Sequence, residues 1–288
     1  MAKIKKLLRD NLIWHYFLSF VLLFIGEFIS GLATPFPLPS FFSKGVQSTF
    51  NMYVDFWGIW AVTLLFILMF KKKNKATLEA IKPNRTGNTL KMLLIGFVIG
   101  FLLNSLCALV AAWHGDFKLH FYKFEPVYLL LLFIVVFIQS SAEELICRGF
   151  LYQRLKTRYH SISFAIIANS LLFAILHLGN DGISILGFLD ILLTGIFFSL
   201  FVSVFNSLWM SMACHATWNF TQNIILGLPN SGALSKYSIF IMNKKSAVSS
   251  FAFDKEFGLE GTILSVTIMC MGCMGMYYLA KRQNKEIL

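Results

Sequence analysis

The sequence predicts an all-α, polytopic membrane bundle, and three observations predict it. Hydrophobic residues make up 57% of the 288, with a mean hydropathy of +0.69, outside the range of soluble domains. The apolar residues fall into long runs, each close to the roughly 20 residues needed to cross about 30 Å of hydrocarbon. The basic residues gather in alternate connecting segments, as the topology of a multi-pass chain requires.

The runs lie at 12–33, 53–70, 92–113, 127–152, 162–178, 184–205, 207–227 and 260–280, which predicts about eight transmembrane helices in one integral membrane domain, 1–288. Lys3, Lys5, Lys6 and Arg9 precede the first run, and Trp14 and Tyr16 mark its inner end. This run is longer than a signal-peptide core and no small-x-small site follows it, so it reads as an uncleaved span. Pro35, Pro37 and Pro39 exclude a regular helix over 34–51 and predict an extended outer loop. Tyr53 and Trp57 mark the outer end of the second span, Trp113 that of the third, and Tyr277 and Tyr278 the inner end of the last. Segment 71–91 is a basic loop with one short helix, Thr77 to Lys82, stopped by Pro83.

From Pro126 to Arg158 only Gly149 interrupts the helical pattern. Such a helix is about 48 Å long, so it either tilts or projects from the membrane. Segment 228–258, rich in Ser, Gly and Asn with Phe251, Phe253 and Phe257, predicts a loop that touches the bilayer surface or a peptide. Cys107, Cys147, Cys214, Cys270 and Cys273 all fall in apolar runs, which argues against a disulfide framework. Cys270-x-x-Cys273 reads as two small hydrophobes.

A formal charge of +11 raises the question of a nucleic-acid partner, and its placement rejects one. Most of the 25 Lys and Arg lie in 1–11, 71–91, 148–158 and 281–285. An excess of these residues marks the cytoplasmic side, so both termini are predicted there, in a cell-membrane protein whose basic segments meet anionic lipid headgroups.

Ionisable side chains inside the apolar runs carry the functional signal, since each costs about 2.5–3.5 kcal/mol at membrane depth. Glu143, Glu144 and Arg148 interrupt the fourth run. Neighbours on a helix point about 100° apart, so the two glutamates serve different tasks. Glu144 and Arg148, four apart, predict an internally neutralised pair. Glu143 is left to look to another helix, as a carboxylate suited to taking a proton from water. On the seventh run Ser207, Ser211, His215, Asn219 and Asn223 recur every four residues and form an inward polar stripe. Its His215 and Asn219 are expected to present two donors to one point, as an oxyanion site requires. On the fifth run Asn169, Phe173 and His177 share a face, with Phe173 walling the imidazole. Glu143 and His177 fall at equal depth about the turn near His160. Glu27 and Asp190 read as lone acids near span ends, with interhelical hydrogen bonding as their role.

At these residues the chain resembles the CPBP (CAAX protease, bacteriocin-processing, Abi) family of intramembrane proteases: Glu143-Glu144-x-x-x-Arg148, Phe173-x-x-x-His177 and His215-x-x-x-Asn219, each on its own run within 126–227. The resemblance implies an eight-span helical fold with a cavity reached from the cytoplasm, and cleavage of a membrane-embedded or lipid-anchored peptide or protein. It implies that Glu143 and His177 activate water, that His215 and Asn219 stabilise the oxyanion, and that Glu144, Arg148 and Phe173 support them. Both a zinc held by Glu143, His177 and His215 and a metal-free glutamate route remain open under it. The donor types suit zinc, but no His-Glu-x-x-His is present. Two readings from other classes stand beside it: a non-catalytic scaffold, immunity or regulatory protein that binds a peptide, and a transporter whose inward acids relay protons.

Overall fold

In the computed structural model, residues 11–285 are described; Lys3, Lys5, Lys6 and Arg9 lie outside the described residues. The helices in chain order are α1 Leu12–Ala33, α2 Lys44–Val54, α3 Trp57–Met69, α4 Lys75–Ile81 and α5 Leu90–His114. Then come α6 Pro126–Glu144, running on through a π-helical turn Leu145–Leu151 into α7 Tyr152–Tyr159, and α8 Ile162–Leu176. The last are α9 Ile185–Phe205, α10 Leu208–Asn219 with a π-helical turn Phe220–Ile225, and α11 Ile263–Arg282. Strands β1 Leu119–Phe121 and β2 Phe240–Met242 pair antiparallel, Leu119 opposite Met242.

The protein is an all-α, multi-pass membrane bundle. Six stretches are long and apolar enough to cross a membrane: Leu12–Ala33, Lys44–Met69, Leu90–His114, Pro126–Tyr159, Ile185–Phe205 and Ile263–Arg282. The fifth and seventh apolar runs are helical too but shorter. α8 has 15 residues, about 22 Å at the helical rise, less than the hydrocarbon thickness. Pro126–Tyr159 and Ile185–Phe205 are more than half buried, whereas the other four bury a third or less of their surface. α6 and α9 are therefore central, and α1, α3, α5 and α11 expose apolar side chains around them.

Three expectations need correction. Segment 34–51 is not wholly extended, because Ser43 caps α2 by accepting a hydrogen bond from the Val46 amide, and helix runs from Lys44 once the prolines are passed. The fourth run is not uniformly α-helical, because the hydrogen-bond register widens after Glu144. The long loop does not offer all its phenylalanines outward: Phe253 and Phe257 are buried in the core and Phe251 alone is exposed. The short helix before Pro83 is present as α4, and all five cysteines are free thiols.

α5 and α10 approach closely at Gly96 and Gly100. A Cβ at Gly100 would fall 2.2 Å from the Cys214 carbonyl oxygen, and one at Gly96 2.4 Å from that of Met210. Two glycines four apart let backbones touch where side chains would hold them away. We expect Gly100→Val to lower the unfolding midpoint in detergent by the equivalent of about 1–3 kcal/mol of overpacking. Gly275→Ala, where a Cβ meets open space, should leave the midpoint unchanged.

Candidate active site

Arg148 is wholly buried, and each of its nitrogens has a partner. Nη1 donates to Glu144 Oε1 at 2.8 Å, Nη2 to the Gly195 carbonyl at 3.0 Å, and Nε approaches Ser199 Oγ at 3.4 Å. The guanidinium lies 4.4 Å from the Phe173 ring centroid and 5.6 Å from that of Phe198. A buried charge is tolerated only when it is neutralised and hydrogen-bonded, and here both conditions are met. The cluster joins α6, α8 and α9.

Glu144 is equally buried. Besides Arg148, its Oε1 accepts from His215 Nδ1 at 3.1 Å, and its Oε2 accepts from Ser211 Oγ. A carboxylate can only accept, so His215 carries a proton on Nδ1 and turns Nε2 the other way. There Nε2 stands 3.7 Å from Glu143 Oε2. A carboxylate that orients an imidazole whose far nitrogen faces the reaction space is a recurrent catalytic arrangement.

Glu143 faces His215 of another helix, as expected, but it also has a local partner that the expectation lacked: Gln139, one turn before it, donates Nε2–H to its Oε1 at 2.5 Å. Its Oε2 has no hydrogen-bond partner. His177 ends α8. Its Nδ1 donates to the Phe173 carbonyl at 2.7 Å, which leaves the lone pair of the neutral ring on Nε2. Phe173 walls His177, ring centroids 4.7 Å apart, and meets His215 edge-on at 5.9 Å. Glu143, Phe173, His177, His215 and Asn219 all line one cavity of about 660 Å³.

Asn219 does not aim at the same point as His215. Its Nδ2 donates to Gln139 Oε1 at 3.1 Å and to Ser140 Oγ at 3.2 Å, and its Oδ1 accepts from Asn230 Nδ2 at 3.3 Å. Asn230 in turn donates to Glu260 Oε1 at 2.8 Å. Glu260 also accepts from Trp218 Nε1 at 2.7 Å and Gln222 Nε2 at 2.6 Å. Burial pushes the pKa of this carboxyl, which precedes the last span, upward, and the bonds from Trp218 and Gln222 oppose that push.

The rest of the polar stripe is inward as expected: Ser207 approaches Asn88, and Asn223 donates to the Leu228 carbonyl and accepts from Tyr53. Asn169 is buried and accepts from Ser199 Oγ at 3.1 Å. Glu27 lines the cavity. Asp190 is buried and accepts the Gly261 amide at 2.9 Å, pinning the start of α11. Sequence reasoning missed Gln139 and Glu260. Gln139 was within reach, being four residues before Glu143; Glu260 carries no local signal because its partners come from α10 and the loop after it. Among the described residues no three His, Cys, Asp or Glu side chains are grouped so as to hold a metal ion. Glu143, His177 and His215 share a cavity without being grouped closely enough to form such a set, although the Nδ1 bond from His215 to Glu144 leaves its Nε2 available as a ligand atom.

The class is a helical membrane bundle with a carboxylate and two histidines around a central cavity. Residues 125–221, which carry all three motifs, match the family model described as Rce1-like, type II CAAX prenyl endopeptidase Rce1-like. Over those residues the chain is similar to the CAAX-type endopeptidases that the model describes. Comparison with curated proteins gives no match.

Removing one partner of a buried pair leaves an uncompensated charge. We expect Arg148→Met to cost about 3–5 kcal/mol, read from chemical unfolding in detergent, and the double variant with Glu144→Leu to recover much of the loss.

Proposed function

We propose that Glu143 is the general base of a metal-free peptide-bond hydrolysis inside the bundle. The observation that carries this reading is its Oε2, which has no hydrogen-bond partner and stands 3.7 Å from His215 Nε2 on a residue that lines the cavity, while Gln139 holds Oε1 in place. Water in the cavity gives a proton to Oε2, and its oxygen adds to the scissile carbonyl carbon. His177 Nε2 accepts a hydrogen bond from the same water and aims its lone pair. The carbonyl oxygen takes the negative charge and is met by His215 Nε2–H, the ring being held in that orientation by its Nδ1 bond to Glu144. The C–N bond breaks as Glu143 returns its proton to the departing nitrogen. Asn219 acts one step back, holding Gln139 and through it the base.

The substrate is a membrane-embedded or lipid-anchored peptide. Glu27, Glu143, Asp181 and Glu260 line the cavity and, among the described residues, no Lys or Arg does, so a cationic segment is favoured in it over an anionic one. For matched peptides in liposomes we expect a lysine beside the scissile bond to raise kcat/KM above that of the glutamate counterpart, with the difference shrinking as salt is added.

Glu143→Gln and His177→Ala should each lower cleavage by about 100-fold or more, the contribution of a positioned base or its partner. A folded variant with unchanged turnover removes this mechanism. Activity should persist after exhaustive chelation in protein found metal-free by elemental analysis, whereas activity restored only by added zinc would replace the scheme with a metal-dependent one.

A further inference from the structure

The cavity and the basic residues lie at opposite ends of the bundle. Four contacts gather the basic segments at one end: Arg154 Nη1 donates to the Lys73 carbonyl at 2.9 Å, Trp209 Nε1 to the Ile81 carbonyl at 3.0 Å, the Leu12 amide to Tyr159 Oη at 2.9 Å, and Lys285 Nζ to the Val204 carbonyl. Segment 71–91, α7, the end of α9 and the end of α11 therefore share one face. α8 and α10 both start from that face, at Ser161 and Ser207, and run away from it.

The loops beyond the far ends of these two helices line the cavity. Asn180 and Asp181 come directly after α8, Ser231 and Gly232 come after α10, and Asn180 Nδ2 joins the two loops by donating to the Ser231 carbonyl at 2.9 Å. Glu260 enters from just before α11. Asp181 and Ala233 are exposed. Among the described residues, none from 71–91 or 145–161 lines the cavity. The resemblance to the CPBP family implies entry from the cytoplasm, whereas these contacts put the entrance at the end away from the Lys- and Arg-rich segments. Segments rich in Lys and Arg are retained in the cytoplasm.

We infer that the active-site cavity opens to the external face of the membrane, so that the peptide it takes is presented from the outer leaflet or beyond. The second half of this statement rests on the protease reading; the first does not.

The test is cysteine accessibility of the full chain in intact cells, with a charged, membrane-impermeant maleimide as probe and the parent chain, whose five cysteines are free thiols within helices, as background. Asp181→Cys should take up as much label in intact cells as after permeabilisation. Lys156→Cys, exposed on α7, should label only after permeabilisation. Ala233→Cys, on the other cavity-lining loop, carries the test if Asp181→Cys does not accumulate. The reverse pattern, or label at these loop positions only after permeabilisation, overturns the inference. Labelling needs no turnover, so that result leaves the protease reading standing, and an active Glu143→Gln variant would remove the protease reading without touching the orientation.

Discussion

The buried ion pair between Glu144 and Arg148 is the constraint on which the rest of the site depends. Neither charge is stable in this interior alone, so each fixes the other, and their remaining hydrogen-bonding positions reach outward to α8, α9 and α10. Arg148 holds α9 through Gly195 and stacks on Phe173 of α8; Glu144 holds α10 through Ser211 and His215. Four helices thus meet at one neutral pair. The direction of His215, and with it the side of the ring offered to the cavity, follows from Glu144 having only acceptors to give.

The second organising feature is a run of amides. Gln139 gives its N–H to Glu143 and takes one from Asn219, which takes one from Asn230, which gives to Glu260. An amide has distinct ends, so each member dictates the orientation of the next. Gln139 cannot turn over without setting its carbonyl oxygen against the Glu143 carboxylate. One oxygen of that carboxylate is thereby occupied and the other left for chemistry. Two acids with different surroundings terminate the run, Glu143 with one oxygen free of hydrogen bonds and Glu260 closed in by N–H donors.

Much of this was legible in the sequence where the interaction is local. Glu144 and Arg148 are four apart on a helix, and Phe173 and His177 likewise, so their meeting follows from helical geometry. The stripe from Ser207 to Asn223 reads as an inward face because polar groups in an apolar helix must find partners. What was not legible depends on chain distant in sequence. Glu260 meets Trp218, Gln222 and Asn230 only after the loop between them has folded back. Phe253 and Phe257 are buried by that same folding; an apolar loop side chain has no sequence mark that separates core from lipid. The start of α2 was hidden by the prolines before it, although Ser43 offered a cap.

Two of the three helices that carry the site residues, α6 and α10, widen directly after Glu144 and Asn219, at Leu145–Leu151 and at Phe220–Ile225. A π turn holds one residue more than the α-helix it replaces, so it resets the angular phase of everything beyond by about 100°. The two halves of α6–α7 are thereby decoupled in rotation: the half bearing the carboxylates can be phased to the interior while the basic half is phased to water. Loss of a single codon within 145–151 would close the turn into ordinary helix, keep every hydrophobic run nearly intact, and swing the carboxylates off the Phe173 side. In this chain, length and composition are forgiving, whereas rotational register across these two short segments is not.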